Sequence, residues 1–390
     1  MPTNNLQSQF LLNPDITYLN FGSFGACPKP IFEEYQKYQL ELEREPVQFI
    51  TVNGLEYLDK SRKALAQYIN CNADDLVYTT NPSYAVNIVA KNFKLNAGDE
   101  ILSTNFEYGA LDRTWNYYCK KAGAKFVRQA IALPLVSKEK FIEDFFKGLT
   151  PKTKAIFISQ ITSTTALIFP VREICEIAKS KGLFTIVDGA HVPGHIPLNL
   201  AEIQADVYTG ACHKWMCTPK GCSFLYVKKE HQYLFDPLVI SWGYESEHPS
   251  DSQFLDYHQT QGTRDFSAFL TVPKAIQFLT ENNWTEVAAE CRKLAHSNYL
   301  RFCDLLGSKP LAPISDEFLG QMCSIPLNCS APEKLQQLLF QKYKIEIPVM
   351  QKDGNVLMRY SIQAYNSQAD LDKLYSAISE IISETDLIQI

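Results

Sequence analysis

The sequence predicts an α/β protein: a mostly parallel, seven-stranded sheet between helices in a large domain, followed by a smaller C-terminal α+β domain. Three observations predict it. Short apolar or β-branched runs alternate with helix-like stretches between residues 76 and 227. After about residue 270 the texture changes to long helical stretches and isolated strand-like pieces. A chain of 390 residues holds two or three domains at about 150 residues each.

The elements follow in order. Residues 31–45 are charged and helix-forming, and Leu58 to Tyr68 repeats apolar residues at helical spacing. The expected strands are Leu76-Val77-Tyr78-Thr79, Glu100-Ile101-Leu102-Ser103, Lys125-Phe126-Val127, Lys154 to Ser159, Phe184-Thr185-Ile186-Val187, Asp206-Val207-Tyr208-Thr209 and Ser223-Phe224-Leu225-Tyr226-Val227. Helices are expected through Val86 to Ala90, Ala110 to Lys121 and Val171 to Lys181. Beyond these come one long helix from Pro273 to Phe302, strand-like Cys323-Ser324-Ile325 and Val356-Leu357-Met358, and a final amphipathic helix. That last helix carries Leu371, Leu374, Tyr375, Ile378, Ile381 and Ile382 on one face.

Composition narrows the function. Hydrophobic residues make up 46% of the chain, ordinary for a globular protein, and the formal net charge is -6. Lysine and arginine are scattered, so neither nucleic acid nor an anionic membrane is expected as a partner. Met1 to Phe10 is polar and does not read as a signal peptide. Eleven scattered cysteines fit reduced thiols in a cytoplasmic enzyme better than a disulfide framework. Cys212, Cys217 and Cys222 recur every five residues, but no His-x-x-x-His follows, so no metal site is expected.

Two motifs carry chemistry. Asp188-Gly189-Ala190-His191 and Cys212-His213-Lys214-Trp215 each follow a predicted buried strand. Open α/β sheets bind ligands at the carboxyl ends of their strands. A lysine and an aspartate there suggest pyridoxal phosphate: the lysine forms a Schiff base, and the aspartate keeps the pyridine nitrogen protonated. Asn81-Pro82-Ser83-Tyr84 opens a helix, whose free N–H groups suit a phosphate. Tyr108, after another strand, offers an aromatic face to a flat ring. Gly262-Thr263 sits in a polar, turn-rich stretch, and Arg359, after a C-terminal strand, is the residue type that clamps a carboxylate.

With these residues the chain resembles the class V aminotransferase family of fold-type I pyridoxal phosphate enzymes, and within it the isopenicillin N epimerase-like branch. The likeness runs from Asn20-Phe21-Gly22-Ser23-Phe24-Gly25 to Arg359. It implies that Lys214 is the Schiff-base lysine and the proton shuttle at the substrate Cα. Asp188 would pair with the pyridinium nitrogen and His191 with the ring hydroxyl. Ser83, Tyr84 and His213 would help hold the cofactor, Tyr108 would stack on it, and Arg359 would hold the substrate α-carboxylate, with Phe21 beside the substrate. Thr263 would reach the phosphate from the other subunit of a homodimer. The implied layout is an N-terminal segment (1–45) packing on the small domain, a large cofactor domain (46–270) and a small C-terminal domain (271–390).

The chain departs from that pattern at Ala211, Phe21, Thr162-Ser163-Thr164 and Ala166. Residues 344–359 contain no cysteine, which argues against a persulfide-forming desulfurase. The expected activity is epimerisation or C–S lyase-type elimination on an amino-acid-type substrate. Class V transamination is the alternative, and a catalytically silent cofactor-binding protein a further one. Gly22-Ser23-Phe24-Gly25 lacks dinucleotide-binding spacing, which sets aside a dehydrogenase.

Overall fold

The computed structural model describes residues 6–390; the first five residues of the N-terminal segment lie outside it. Seven strands form the main sheet: β1 (Leu76–Thr79), β2 (Glu100–Thr104), β3 (Lys125–Gln129), β4 (Thr153–Ser159), β5 (Phe184–Gly189), β6 (Val207–Ala211) and β7 (Ser223–Val227). Their spatial order is β1-β7-β6-β5-β4-β2-β3. Strands β2 to β6 pair in parallel, and β7 runs antiparallel to both of its neighbours.

The side-chain alternation of each strand explains why the sheet is covered on both faces. Tyr78, Leu102, Ile158, Val187, Tyr208 and Phe224 enter one apolar core, while Val77, Ile101, Phe157, Ile186, Val207 and Leu225 enter the other. Both faces are dry, so the inner strands read as continuous apolar runs. Edge strand β3 is different. Its Lys125, Arg128 and Gln129 keep an open edge polar.

Helices α1 (Lys29–Arg44), α2 (Gly54–Tyr68), α3 (Pro82–Asn92), α4 (Gly109–Ala122) and α5 (Val171–Ser180) precede or link the strands. Past the sheet, the single helix expected from Pro273 to Phe302 is instead two, α6 (Val272–Glu281) and α7 (Trp284–Leu305). The break falls at Asn283, which adopts φ +50°, a left-handed conformation that asparagine tolerates better than most residues. A second sheet of order β9-β10-β8-β11 uses β8 (Met322–Cys329), β9 (Val349–Lys352), β10 (Asn355–Ser361) and β11 (Ile388–Gln389), all antiparallel. Helix α8 (Gln368–Glu384) buries Leu371, Leu374, Ile378 and Ile381 and opens with a Ser367/Asp370 capping box. Thr17 and Tyr18 pair in parallel with Ile345 and Glu346, and Asn20 bridges to Ser361, so the early chain lies along the second sheet.

Candidate active site

Asp188 and Lys214 meet at the carboxyl ends of β5 and β6. Asp188 is the penultimate residue of β5, inside the strand rather than after it, and pairs across with Thr209. It is 4% exposed. Its Oδ1 accepts the Ala190 N–H at 2.9 Å, and no cation lies within ion-pair distance of it among the described residues. Burial pushes its pKa up to about 6, opposed by the Ala190 hydrogen bond and the Lys214 charge. Lys214 sits in a loop closed by hydrogen bonds from Cys217 N–H to Lys214 O and from Thr218 N–H to Cys212 O. Its Nζ lies 3.1 Å from His191 Nε2. Burial pushes its pKa down to about 8; Asp188 opposes this and Arg359 adds to it. Desolvation dominates at both ends, so the two groups influence each other without forming an ion pair.

Arg359 is likewise inside its strand, β10, not beyond it. It is 1% exposed. Its Nη1 donates to the carbonyl and hydroxyl of Ser163, and its Nη2 donates to Ser23 Oγ at 3.2 Å. Nε has no partner, and no carboxylate pairs with the guanidinium among the described residues. Burial pushes its pKa down to about 10. A buried cation without a counter-ion is costly, so this arrangement is complete only with an anion.

The early Gly-Ser-Phe-Gly segment lies against both Lys214 and Arg359. A Cβ on Gly22 would lie 2.5 Å from Met322 Sδ and 3.3 Å from Arg359 Nη2. A Cβ on Gly25 would lie 2.5 Å from His213 O and 2.9 Å from Lys214 Cα, and Gly25 has φ +65°. Both space and backbone conformation therefore require glycine at 25. Gly25→Ala is expected to lower unfolding free energy by about 3 kcal/mol, strain and overpacking combined. Urea denaturation measures this, and a loss under about 1 kcal/mol would contradict the packing described.

At the end of the site suited to a phosphate, α3 begins at Pro82 with Asn81 as its cap. Asn81 Oδ1 accepts the Tyr84 N–H at 2.8 Å, and the Tyr84 hydroxyl donates to Gln261 Oε1 at 2.8 Å. Tyr84 therefore has both polar groups engaged and ties α3 to the segment bearing Thr263. Ser83 is half-buried in the first turn, and Thr263 is exposed beside Gly262. His213 Nδ1 donates to Cys222 O at 2.7 Å, so Nε2 donates to an anion only in the protonated ring, and burial pushes that pKa down to about 4. Tyr108 caps α4 with its ring half exposed.

Phe21 is fully buried, its ring 5.0 Å from that of Trp215. Three further residues were missed. Ser23 lies within the quoted motif, but only its contact with Arg359 singles it out. His195 is buried four residues after His191. Glu107 is buried and accepts from Ser159 N–H, Ser159 Oγ and Thr104 Oγ1, and burial pushes its pKa up to about 7. A carboxylate between an apolar strand and an aromatic residue was the available signal for Glu107.

The residues suit pyridoxal phosphate. Asp188 is a buried carboxylate lacking a cation, Arg359 a buried cation lacking an anion, and Lys214 an amine pushed toward its neutral form. A ring cation, a substrate carboxylate and a carbonyl would complete them in turn.

The profile of the aminotransferase class-V family matches residues 26–374. The chain is 31% identical to isopenicillin N epimerase of Amycolatopsis lactamdurans, covering 97% of this chain and 98% of that one. It is 26% identical to a probable chloroplastic L-cysteine desulfhydrase of Arabidopsis thaliana, covering 98% of this chain and 86% of that one. The fold superposes on a cysteine desulfurase from Thermococcus onnurineus with TM-score 0.83 at 21% identity, covering 98% of both chains.

Proposed function

The chain belongs to the aminotransferase class-V family of pyridoxal-phosphate-dependent enzymes, and we propose that it acts at the Cα of an amino acid or amino-acid-derived substrate by epimerase or C–S lyase chemistry. The observation carrying this reading is the buried, uncompensated Arg359 held on the same site as Lys214 and Asp188. When bound, pyridoxal phosphate supplies a carbonyl for the substrate amine and a cationic ring that withdraws electrons from Cα.

The chain's own groups do the rest. Arg359 holds the α-carboxylate and so fixes which Cα bond faces Lys214. The Lys214 amine takes the Cα proton, which its lowered pKa permits near neutral pH. Asp188 would hold a cation at the ring nitrogen. Ser83 would receive the phosphate at the α3 N-terminus, His213 would approach it from the lysine loop, Tyr108 would cover the ring, and the partner subunit would supply its own copy of Thr263. Epimerisation and elimination share the proton removal. The relatives named epimerase and desulfhydrase support placing them ahead of transamination.

We further propose a homodimer in which Thr263 reaches the partner's site. Exposed Phe24, Ile240 and Trp242, the last 80% exposed, support an interface. The layout 1–45, 46–270 and 271–390 is supported by the seven-stranded sheet lying within residues 76–227 and the four-stranded sheet within 322–389. No described helix is long and apolar enough to cross a membrane. All eleven cysteines are free, which supports a cytoplasmic site.

The test is a screen of single amino acids and C–S conjugates against the holoprotein. Cofactor absorbance, product stereochemistry and keto-acid release are followed together. Inversion is expected, or elimination that releases the thiol, ammonia and one keto acid with no amino group passed to an acceptor keto acid, and clean amino-group transfer to such an acceptor would overturn the reading. Arg359→Ala is expected to weaken substrate binding by about 100-fold, from loss of charge-assisted hydrogen bonds. The cofactor band should be unchanged in that variant.

A further inference from the structure

Trp215, next to Lys214, is fully buried with two rings packed against it. His195 stacks on it with centroids 3.9 Å apart at 19°, and Phe21 packs at 5.0 Å on a tilted plane. His195 is itself fixed. Its Nε2 accepts the Gln321 N–H at 2.7 Å, so the ring's proton is on Nδ1, which donates to His191 O at 2.9 Å. The indole plane is thereby set, and its Nε1–H points at His191 Nδ1 at 3.4 Å.

An indole nitrogen can only donate, so His191 Nδ1 must accept. A neutral imidazole with an accepting Nδ1 carries its proton on Nε2. That nitrogen lies 3.1 Å from Lys214 Nζ. We propose that Trp215 is a positioning residue that fixes the His191 tautomer, so that Nε2–H donates to the lone pair of Lys214 and favours the neutral, nucleophilic amine. A lysine ammonium would meet a second donor at that contact. With the proton on Nδ1 instead, Nε2 would accept from the ammonium and hold Lys214 charged.

The other charged or titratable groups acting on this contact are Asp188 and Arg359 around Lys214, and Arg359 and His195 around His191. Burial and the positive neighbours push the His191 pKa well down, which keeps its ring neutral and makes its tautomer matter. Phe21 acquires a role by the same geometry, as one wall of the slot that orients the indole.

The consequence for reactivity rests on the proposed role of Lys214, whereas the tautomer is a property of the protein without cofactor. The test therefore uses apoprotein. In ¹⁵N-histidine-labelled protein, long-range ¹⁵N–¹H correlations read which ring nitrogen carries the proton. His191→Gln identifies the signal among the seven histidines. The wild type is expected to show Nε2–H at residue 191, and Nδ1–H there would overturn the proposal whether or not Trp215→Phe folds. Trp215→Phe keeps an aromatic ring in the slot but lacks the donor. It is expected to release the tautomer, wholly or in exchange. It should also move the Lys214 titration midpoint, read by competitive acetylation and peptide mass spectrometry, upward by about one pH unit. A released tautomer with an unmoved lysine midpoint would overturn the relay, and an unchanged tautomer in Trp215→Phe would overturn the part played by the indole. Failure of the apoprotein to take up pyridoxal phosphate would count against the proposed function alone.

Discussion

Lys214→Ala is expected to lower turnover by at least about 10⁴-fold, because one side chain supplies both the covalent anchor and the proton acceptor. The purified variant should lack the visible band of lysine-bound cofactor while unfolding at the same denaturant concentration as wild type. A small exogenous amine should restore part of the activity, since the truncated side chain leaves room beside His191. The pH dependence has a definite sign. The neutral amine is the reactive form and the Lys214 pKa is lowered to about 8, so cofactor capture by wild-type apoprotein should accelerate as pH rises through about 8 and then level off. Stopped-flow capture rates at stepped pH measure this. A rate that climbs only near the usual lysine range would mean that burial does not act on this amine as described.

Asp188→Asn is expected to cost about 1000-fold in turnover, about 4 kcal/mol, by leaving a buried cation without its counter-charge. The substitution is close to isosteric. Asparagine Oδ1 can still accept the Ala190 N–H, so the turn after β5 keeps its hydrogen bond. The charge alone is lost, which separates electrostatics from packing. Uptake of cofactor by wild-type apoprotein should weaken as pH drops through about 6, because Asp188 then takes a proton and no longer offers a charge to the ring nitrogen. The asparagine variant has no such group and should lose that limb of the profile. Equilibrium uptake by the apoprotein between pH 5 and 8 decides it, and an acid limb persisting unchanged would assign it to another group. Glu107, whose carboxyl is pushed up to about 7 and feels the Asp188 charge, is the first alternative to check.

The sheet and its two end-of-strand groups were legible because burial on both faces leaves continuous apolar runs. A charge ending such a run stands out, as Asp188 and Lys214 do. The groups around them were not legible for a different reason. Ser23 reaches Arg359 across 336 positions, and His195 meets Gln321 across 126, so no local pattern pairs them. Motif position says nothing about which way a ring turns, so the packing of Phe21 against Trp215 was not legible either. Nor was the hydrogen bond by which Asn81 takes the Tyr84 N–H. The helix break at Asn283 was invisible because an asparagine pair suits a helix surface as readily as a left-handed turn.

Attachment of pyridoxal phosphate to Lys214 is tested most directly by reducing the holoprotein with borohydride and mapping the pyridoxyl group by peptide mass spectrometry. One modified peptide, with the label on Lys214, is the predicted result. A label on a different lysine, or no covalent label in protein that retains stoichiometric cofactor, would contradict it.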